Sequence, residues 1–248
     1  MAAQRILIIA DTHANYQALR AVLDRFGSAD DIWCLGDVVE WGPRPADCID
    51  LLRECGARCV LGNHDDGFAR PESLRNGWAA WDPAVTDDHL AFLRGLPTSL
   101  TVRLNGTAFF LAHGSPCDPL TTGLVHTDTA DGIRTKISGC DADVILAGHT
   151  HVPMFVELDG TLVVNAGAVG QPEDGIGQSQ CMLYEGGRFR YERVAYDHEA
   201  LADDYARSAI PDGMPSEALE WQTVGIVSVR GLRENPLADD PARVIRLN

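Results

Sequence analysis

Long apolar runs are absent from this 248-residue chain: no stretch approaches the ~18 consecutive apolar residues that a spanning helix needs. A leader peptide is not legible either. Arg5-Ile6-Leu7-Ile8-Ile9-Ala10 runs straight into the polar Asp11-Thr12-His13, without an adequate apolar core or a small-residue cleavage site. The expected compartment is therefore the cytoplasm. Positive charge is scarce, with 20 Lys and Arg against 36 Asp and Glu and a net charge of −16. Affinity for a phosphate backbone comes largely from cations, so neither non-specific nucleic-acid binding nor an acidic membrane is expected. A small phosphate ester held by metal ions is compatible with that balance. Cysteine offers no disulfide framework, because the seven residues are odd in number and scattered through apolar and helix-like segments. Cys55 and Cys59 form one close pair, but no second pair with zinc-finger spacing follows. There is no internal repeat or low-complexity tract, and 45% hydrophobic with 23% charged residues is an ordinary globular composition.

What is present has a strong rhythm. Ile6 to Ala10, Ile32 to Leu35 and Arg58 to Leu61 read as buried strands, while Leu19, Val22, Leu23 and Phe26, then Cys48, Leu51, Leu52 and Cys55, recur at helical spacing. This βαβαβ order predicts a parallel sheet. From Asp65 to Asp88 the pattern breaks into a loop or small helical insertion, followed by a short helix from Asp87 to Arg94 that Gly95 and Pro97 stop. Leu100 to Leu104 and Thr107 to Ala112 flank Asn105-Gly106, a strong hairpin signal. Further strands are expected at Val144 to Ala147, Met154 to Leu158, Leu162 to Asn165, Met182 to Tyr184 and Phe189 to Val194, with a helix from His198 to Ser208. The chain divides into a main domain, 1–210, and a C-terminal appendage, 211–248, whose strand-like run is Val224 to Val229.

Five polar motifs follow apolar strands: Asp11-Thr12-His13, Gly36-Asp37, Gly62-Asn63-His64-Asp65, His113-Gly114 and Gly148-His149-Thr150-His151. In open α/β sheets ligands bind beyond the carboxyl ends of the strands, so the five should converge on one rim. Each alone has a plainer reading. An Asp after a strand commonly shapes a turn or caps a helix, and isolated histidines are more often structural than ligating. A Gly-His-x-His run, however, is expected by chance only about 0.02 times in a chain of this composition. Five of the eight histidines lie in these motifs, while His89, His126 and His198 do not. Imidazoles, carboxylates and an amide oxygen without thiolates suit divalent Mn, Fe, Zn, Ni or Co. Two such ions roughly 3.5 to 4 Å apart need a bridging anion, which Asp37 can supply, and would activate a shared water against a phosphoryl group.

In order and combination, the runs Asp11 to Leu19, Cys34-Leu35-Gly36-Asp37-Val38-Val39 with Gly42-Pro43, Val60 to Asp65, and Asn165-Ala166-Gly167-Ala168-Val169-Gly170-Gln171-Pro172 resemble the calcineurin-like metallophosphoesterase superfamily. The likeness spans roughly residues 5 to 195 and points to a small prokaryotic branch of diadenosine polyphosphatase-like and broad phosphodiesterase members. It implies an α/β fold of two facing mixed β-sheets flanked by helices, a four-layer sandwich. It also implies a first metal on Asp11, His13 and His151, a second on Asn63, His113 and His149, and Asp37 bridging both, with manganese foremost. A bridging hydroxide would attack phosphorus while His64 assists the leaving oxygen. Thr150 and the glycines read as shaping the backbone.

The family's protein phosphatases are a rival reading, but their Asp-Arg-Gly is replaced by Glu40-Trp41-Gly42, which removes a phosphate-clamping guanidinium. A diester or nucleotide-type substrate is therefore expected ahead of a monoester. Glu173 stands where this branch often has an Arg; Arg44 could compensate, although a solvated loop role is the favoured reading. Trp41, Trp78 and Trp81 could stack a nucleobase, or simply pack. A non-catalytic metal-binding module is a second rival, but degenerate members lose ligands that this chain keeps.

Overall fold

The computed structural model describes residues 4–70, 82–210, 214–223 and 245–247. Its first half is the expected alternation: β1 (Arg5–Ile9), α1 (Tyr16–Phe26), β2 (Asp31–Cys34), α2 (Pro45–Glu54) and β3 (Arg58–Cys59). β1 pairs in parallel with β2, and β2 with β3. β3 is shorter than the apolar run suggested, since only Arg58 and Cys59 are in ladder register with β2. The chain then enters α3 (Asn63–Ala69), so the Gly-Asn-His-Asp motif lies at a strand-to-helix turn. α4 (Asp87–Arg94) follows where expected. Trp78 and Trp81 lie outside the described residues, as does the run Val224 to Val229.

The second half supplies the hairpin β4 (Ser99–Leu104) and β5 (Thr107–Ala112), then α5 (Ala130–Ile137), β6 (Val144–Ala147), β7 (Met154–Leu158), β8 (Thr161–Asn165), β9 (Ser179–Glu185), β10 (Arg188–Val194) and α6 (His198–Arg207). Past residue 210 come α7 (Met214–Thr223) and β11 (Ile245–Leu247). Sequence reasoning did not anticipate α5, α7 or β11. α5 buries only Ile133 among its own residues, so its apolar periodicity is faint; its start is set by Thr129 Oγ1, which accepts from Gly132 N.

Two sheets form, ordered β10-β9-β1-β2-β3 and β11-β7-β8-β6-β5-β4. Strand alternation sorts their faces. Ile6 and Ile8 of β1 meet Phe109, Leu111, Val144, Leu146 and Val164 between the sheets. Leu7 and Ile9 point the other way, onto Leu19, Val22, Cys48, Ile49 and Leu52 of α1 and α2. On the far face of the second sheet, Ile145, Ala147, Val156 and Val163 cover Ile133 of α5 and Leu124. The layers are thus helix, sheet, sheet, helix. Burial on both faces explains why these strands read as continuous apolar runs.

The boundary expected at 210 runs between α6 and α7, and side chains from both sides of it meet. Tyr205 donates to Trp41 O at 3.0 Å and to Gln222 Oε1 at 2.8 Å. Gln222, wholly buried, donates to His13 O at 2.9 Å. A residue from beyond 210 therefore supports the backbone of the first polar motif.

Candidate metal centre

The loops that leave β1, β2 and β6 are wound into an uncommon backbone conformation. Asp11, His13, Ala14, Asp37, Glu40, Trp41, His149 and His151 all have φ between 47° and 68°. Non-glycine residues seldom occupy this region, and such strain persists only where its surroundings impose it. Here the loops hold one another: Asp11 N donates to Gly36 O at 3.0 Å, His13 N to Asp37 O at 3.0 Å, Ala14 N to Val38 O at 2.8 Å and Gly148 N to His113 O at 2.9 Å.

Two adjoining groups result. Asp11, His13 and His151 can each offer a ligand atom within 4.8 Å of the others, as can Asp37, His113 and His149. Asn63 joins the second, its Oδ1 3.0 Å from His113 Nε2. Asp37 faces both, with Oδ2 3.0 Å from His113 Nε2 and 3.9 Å from His13 Nε2. His64 belongs to neither. Its backbone N donates to Asp37 Oδ1 at 2.9 Å, and its ring lies 5.0 Å from that of His13.

The donor chemistry of both groups fits a cation. His113 Nδ1–H donates to Leu35 O at 2.8 Å, and His151 Nδ1–H to Gln171 O at 2.8 Å, so each ring faces inward with Nε2, the atom that would be bare once the ring gives up its second proton to bind an ion. Around His113 Nε2 stand Asp37 Oδ2, Asn63 Oδ1 and, at 3.2 Å, His149 Nδ1. Around His151 Nε2 stand His13 Nε2 at 3.1 Å and Asp11 Oδ1 at 3.3 Å. Lone pairs gathered this closely need a proton or a metal ion between them. Protonation of the rings shows the same demand. Burial opposes charge on His113, but the Asp37 carboxylate outweighs it and pushes the ring up to about 10. His151, also opposed by burial, is raised by Asp11. Burial lowers His13, and His151 lowers it further; burial and His113 lower His149. The rings cannot all be charged together.

Three supporting residues escaped sequence reasoning. Glu40 Oε2 accepts from His64 Nδ1 at 2.6 Å, and this bond overcomes burial to raise the imidazole's pKa. Asp65, quoted only as part of its motif, is fully buried and accepts from Val38 N, Val39 N and Gly62 N. Burial, with Asp37 nearby, lifts its carboxyl to about 7. Gln222 is the third. Glu40 had one available signal, its place three residues after Asp37; Gln222 had none.

The solvated-loop reading of Arg44 is corrected. Its guanidinium lies 4.0 Å over the Tyr16 ring and pairs with Asp47 at 2.9 Å and Asp204 at 3.6 Å, so it is committed to packing α1, α2 and α6. Glu173 Oε1 lies 3.9 Å from His151 Nδ1, which puts a carboxylate beside the first group. Trp41 has its ring 5.9 Å from His64 and 5.1 Å from Trp221 of α7. His89 bonds Thr86 N and Asp50, and His198 bonds Gly177 O, both away from the two groups.

Residues 5–186 match the calcineurin-like phosphoesterase superfamily domain. An uncharacterized protein of Methanocaldococcus jannaschii is 29% identical over 238 residues, covering 86% of this chain and 96% of that protein. The crystal structure of a metallophosphoesterase from Sphaerobacter thermophilus is 30% identical with a TM-score of 0.76, covering 89% of this chain and 99% of that one. A symmetrical bis(5′-nucleosyl)-tetraphosphatase of Aromatoleum aromaticum is 32% identical over 108 residues, 37% of this chain and 38% of that enzyme.

Proposed function

Since the chain belongs to the calcineurin-like phosphoesterase superfamily, we propose that it hydrolyses a phosphodiester or nucleotide-type substrate at two divalent metal ions. Asp11, His13 and His151 hold the first, Asn63, His113 and His149 the second, and Asp37 reaches both. When bound, such a pair activates a water and draws charge from the phosphoryl oxygens. Manganese suits the nitrogen and oxygen donors, as do Fe, Zn, Ni and Co.

The observation that carries this reading is the His64–Glu40 pair beside two groups of inward-facing lone pairs. Glu40 accepts from Nδ1, orients the ring and stabilises its protonated form, so His64 Nε2 can donate to the departing alkoxide. Asp37 Oδ1 fixes the backbone of His64, which couples the acid's position to the bridging carboxylate. Leu35 O and Gln171 O hold the ligand rings in one tautomer.

The identity of the ester follows from charge. A monoester dianion calls for a cation beyond the metals; the protein-phosphatase arginine position is Trp41, Arg44 is committed elsewhere, and Glu173 is acidic. A diester carries less charge and suits this environment. The test compares bis-p-nitrophenyl phosphate with p-nitrophenyl phosphate by kcat/KM, after reconstitution with Mn, Ni, Co or Zn. The diester is expected to be cleaved at least as efficiently, and a strong monoester preference with every metal overturns the assignment.

A further inference from the structure

A cavity of about 510 Å³ opens behind the second group, lined among others by Thr122, Val125, Lys136, His149, Thr150 and Val152. That volume lies within the usual range for a small-molecule site, roughly 300 to 1,000 Å³. His149 is its common wall with the metal centre: Nδ1 is 3.2 Å from His113 Nε2, while the Cδ2 edge lies close against Gly123. His64 is not part of the cavity lining; its ring lies 5.0 Å from that of His13 of the first group. A diester has two alcohols and a monoester one. The leaving alcohol belongs beside His64, and the cavity lies where a second alcohol can go.

The lining decides its chemistry. Lys136 is the only lysine in the sequence, and its charge is already answered: Nζ lies 2.6 Å from Asp128 Oδ2 and donates to Gly123 O at 2.8 Å. The one lysine at the cavity therefore offers a second phosphate no uncompensated charge, and the other titratable side chains of the lining are the imidazoles of His126 and His149. Thr121 and Thr122, also at the cavity, donate their hydroxyl protons to Asp118 and so present acceptors. Thr150 Oγ1 accepts from Asn165 Nδ2 at 3.0 Å, which leaves its own proton to donate. Hydroxyl groups can answer both kinds of partner, whereas a phosphate oxygen can only accept. Val125 and Val152 supply apolar contact for carbon atoms.

We propose that this cavity binds the non-leaving alcohol of the substrate, and that this alcohol is neutral and hydroxyl-bearing, as glycerol and a nucleoside sugar are. The proposal rests on the diesterase reading above. It is tested on full-length, metal-reconstituted protein with three p-nitrophenyl diesters that share one leaving group: the methyl, the glycerol and the thymidine 5′ esters. The wild type should favour the glycerol or thymidine ester over the methyl ester in kcat/KM, and comparison of those two arms identifies which alcohol the cavity takes. Val125→Phe, which fills the cavity without altering the backbone bonds of its loop, should reduce that preference ratio about tenfold or more. Thr122→Val, nearly isosteric, should reduce it about threefold to tenfold through one lost hydrogen bond, and it remains informative if the larger substitution prevents folding. Equal efficiency on all three esters in the wild type, or a ratio that neither variant moves, overturns the cavity assignment alone. Inactivity on every diester with metal-dependent cleavage of p-nitrophenyl phosphate overturns the diesterase reading.

Discussion

His64 and Glu40 show how much one hydrogen bond can decide. His64 follows Asn63 in sequence but lies outside both ligand groups, so His64→Ala should retain both ions by elemental analysis. Its kcat should fall by roughly 10²- to 10⁴-fold on an ester with a poor leaving group, the usual contribution of a general acid. The loss should shrink with nitrophenolate, an oxygen that needs little help from a proton. An emptied metal site in this variant would assign His64 to the ligands instead. Glu40 acts through the imidazole. Because its hydrogen bond raises the His64 pKa against the opposing effect of burial, Glu40→Gln should lower that pKa. The protonated acid is then lost at lower pH, and the alkaline limb of the kcat/KM profile moves down. A limb that stays in place removes Glu40 from the mechanism.

At the scale of elements, the turn from β3 into α3 sets the distance between Asp37 and Asn63. Gly62, the N-cap of α3, has an extended backbone, so conformational freedom is not what the position requires. Close approach is. A Cβ there would lie 2.0 Å from Asp37 Oδ1 and 2.2 Å from Asp37 N, far inside contact distance. Gly62→Ala should therefore displace Asp37, reduce metal content and abolish activity while far-UV circular dichroism still reports the helices and sheets. Full metal occupancy in this variant would show that the turn yields more easily than its packing implies. The expected helix-and-strand order was legible on both sides of this turn because two-sided burial leaves unbroken apolar runs. α5 was not, because a helix with one buried residue leaves almost no periodic trace.

For the whole molecule, the two groups lie where strands of both sheets end, and the side chains that form them come from positions 11 to 151. An ion that binds this arrangement, and not the unfolded chain, stabilises the fold by mass action, about 2.7 kcal/mol at a hundredfold excess over Kd. Chelator-treated protein should melt at a lower temperature than protein replete with manganese. Close to two ions per chain should return on reconstitution, as measured by elemental analysis beside a thermal melt. Trace metal in the replete protein, or an unchanged Tm, contradicts a two-ion centre.

The apolar strands, the parallel order of the first three and the polar motifs at their ends were determined by sequence. A chain buried on both faces must carry its polar chemistry where it leaves the sheet. Asp11, His13, Asp37, Asn63, His64, His113, His149 and His151 stood out as candidates for that reason, and the fold gathers Asp11 with His13 and His151, and Asp37 with His113 and His149. Tertiary structure alone decided what surrounds them. Glu40, in a left-handed backbone conformation, meets His64 across 24 residues of sequence, and Gln222 reaches His13 across 209. Arg44 is engaged by Tyr16, Asp47 and Asp204, which converge on it from three helices. Lys136, Thr122 and Thr150 share one cavity only because α5 and the loop before it pack beside His149. No periodicity records such meetings, since they depend on how loops from separate elements dock after the sheets have formed.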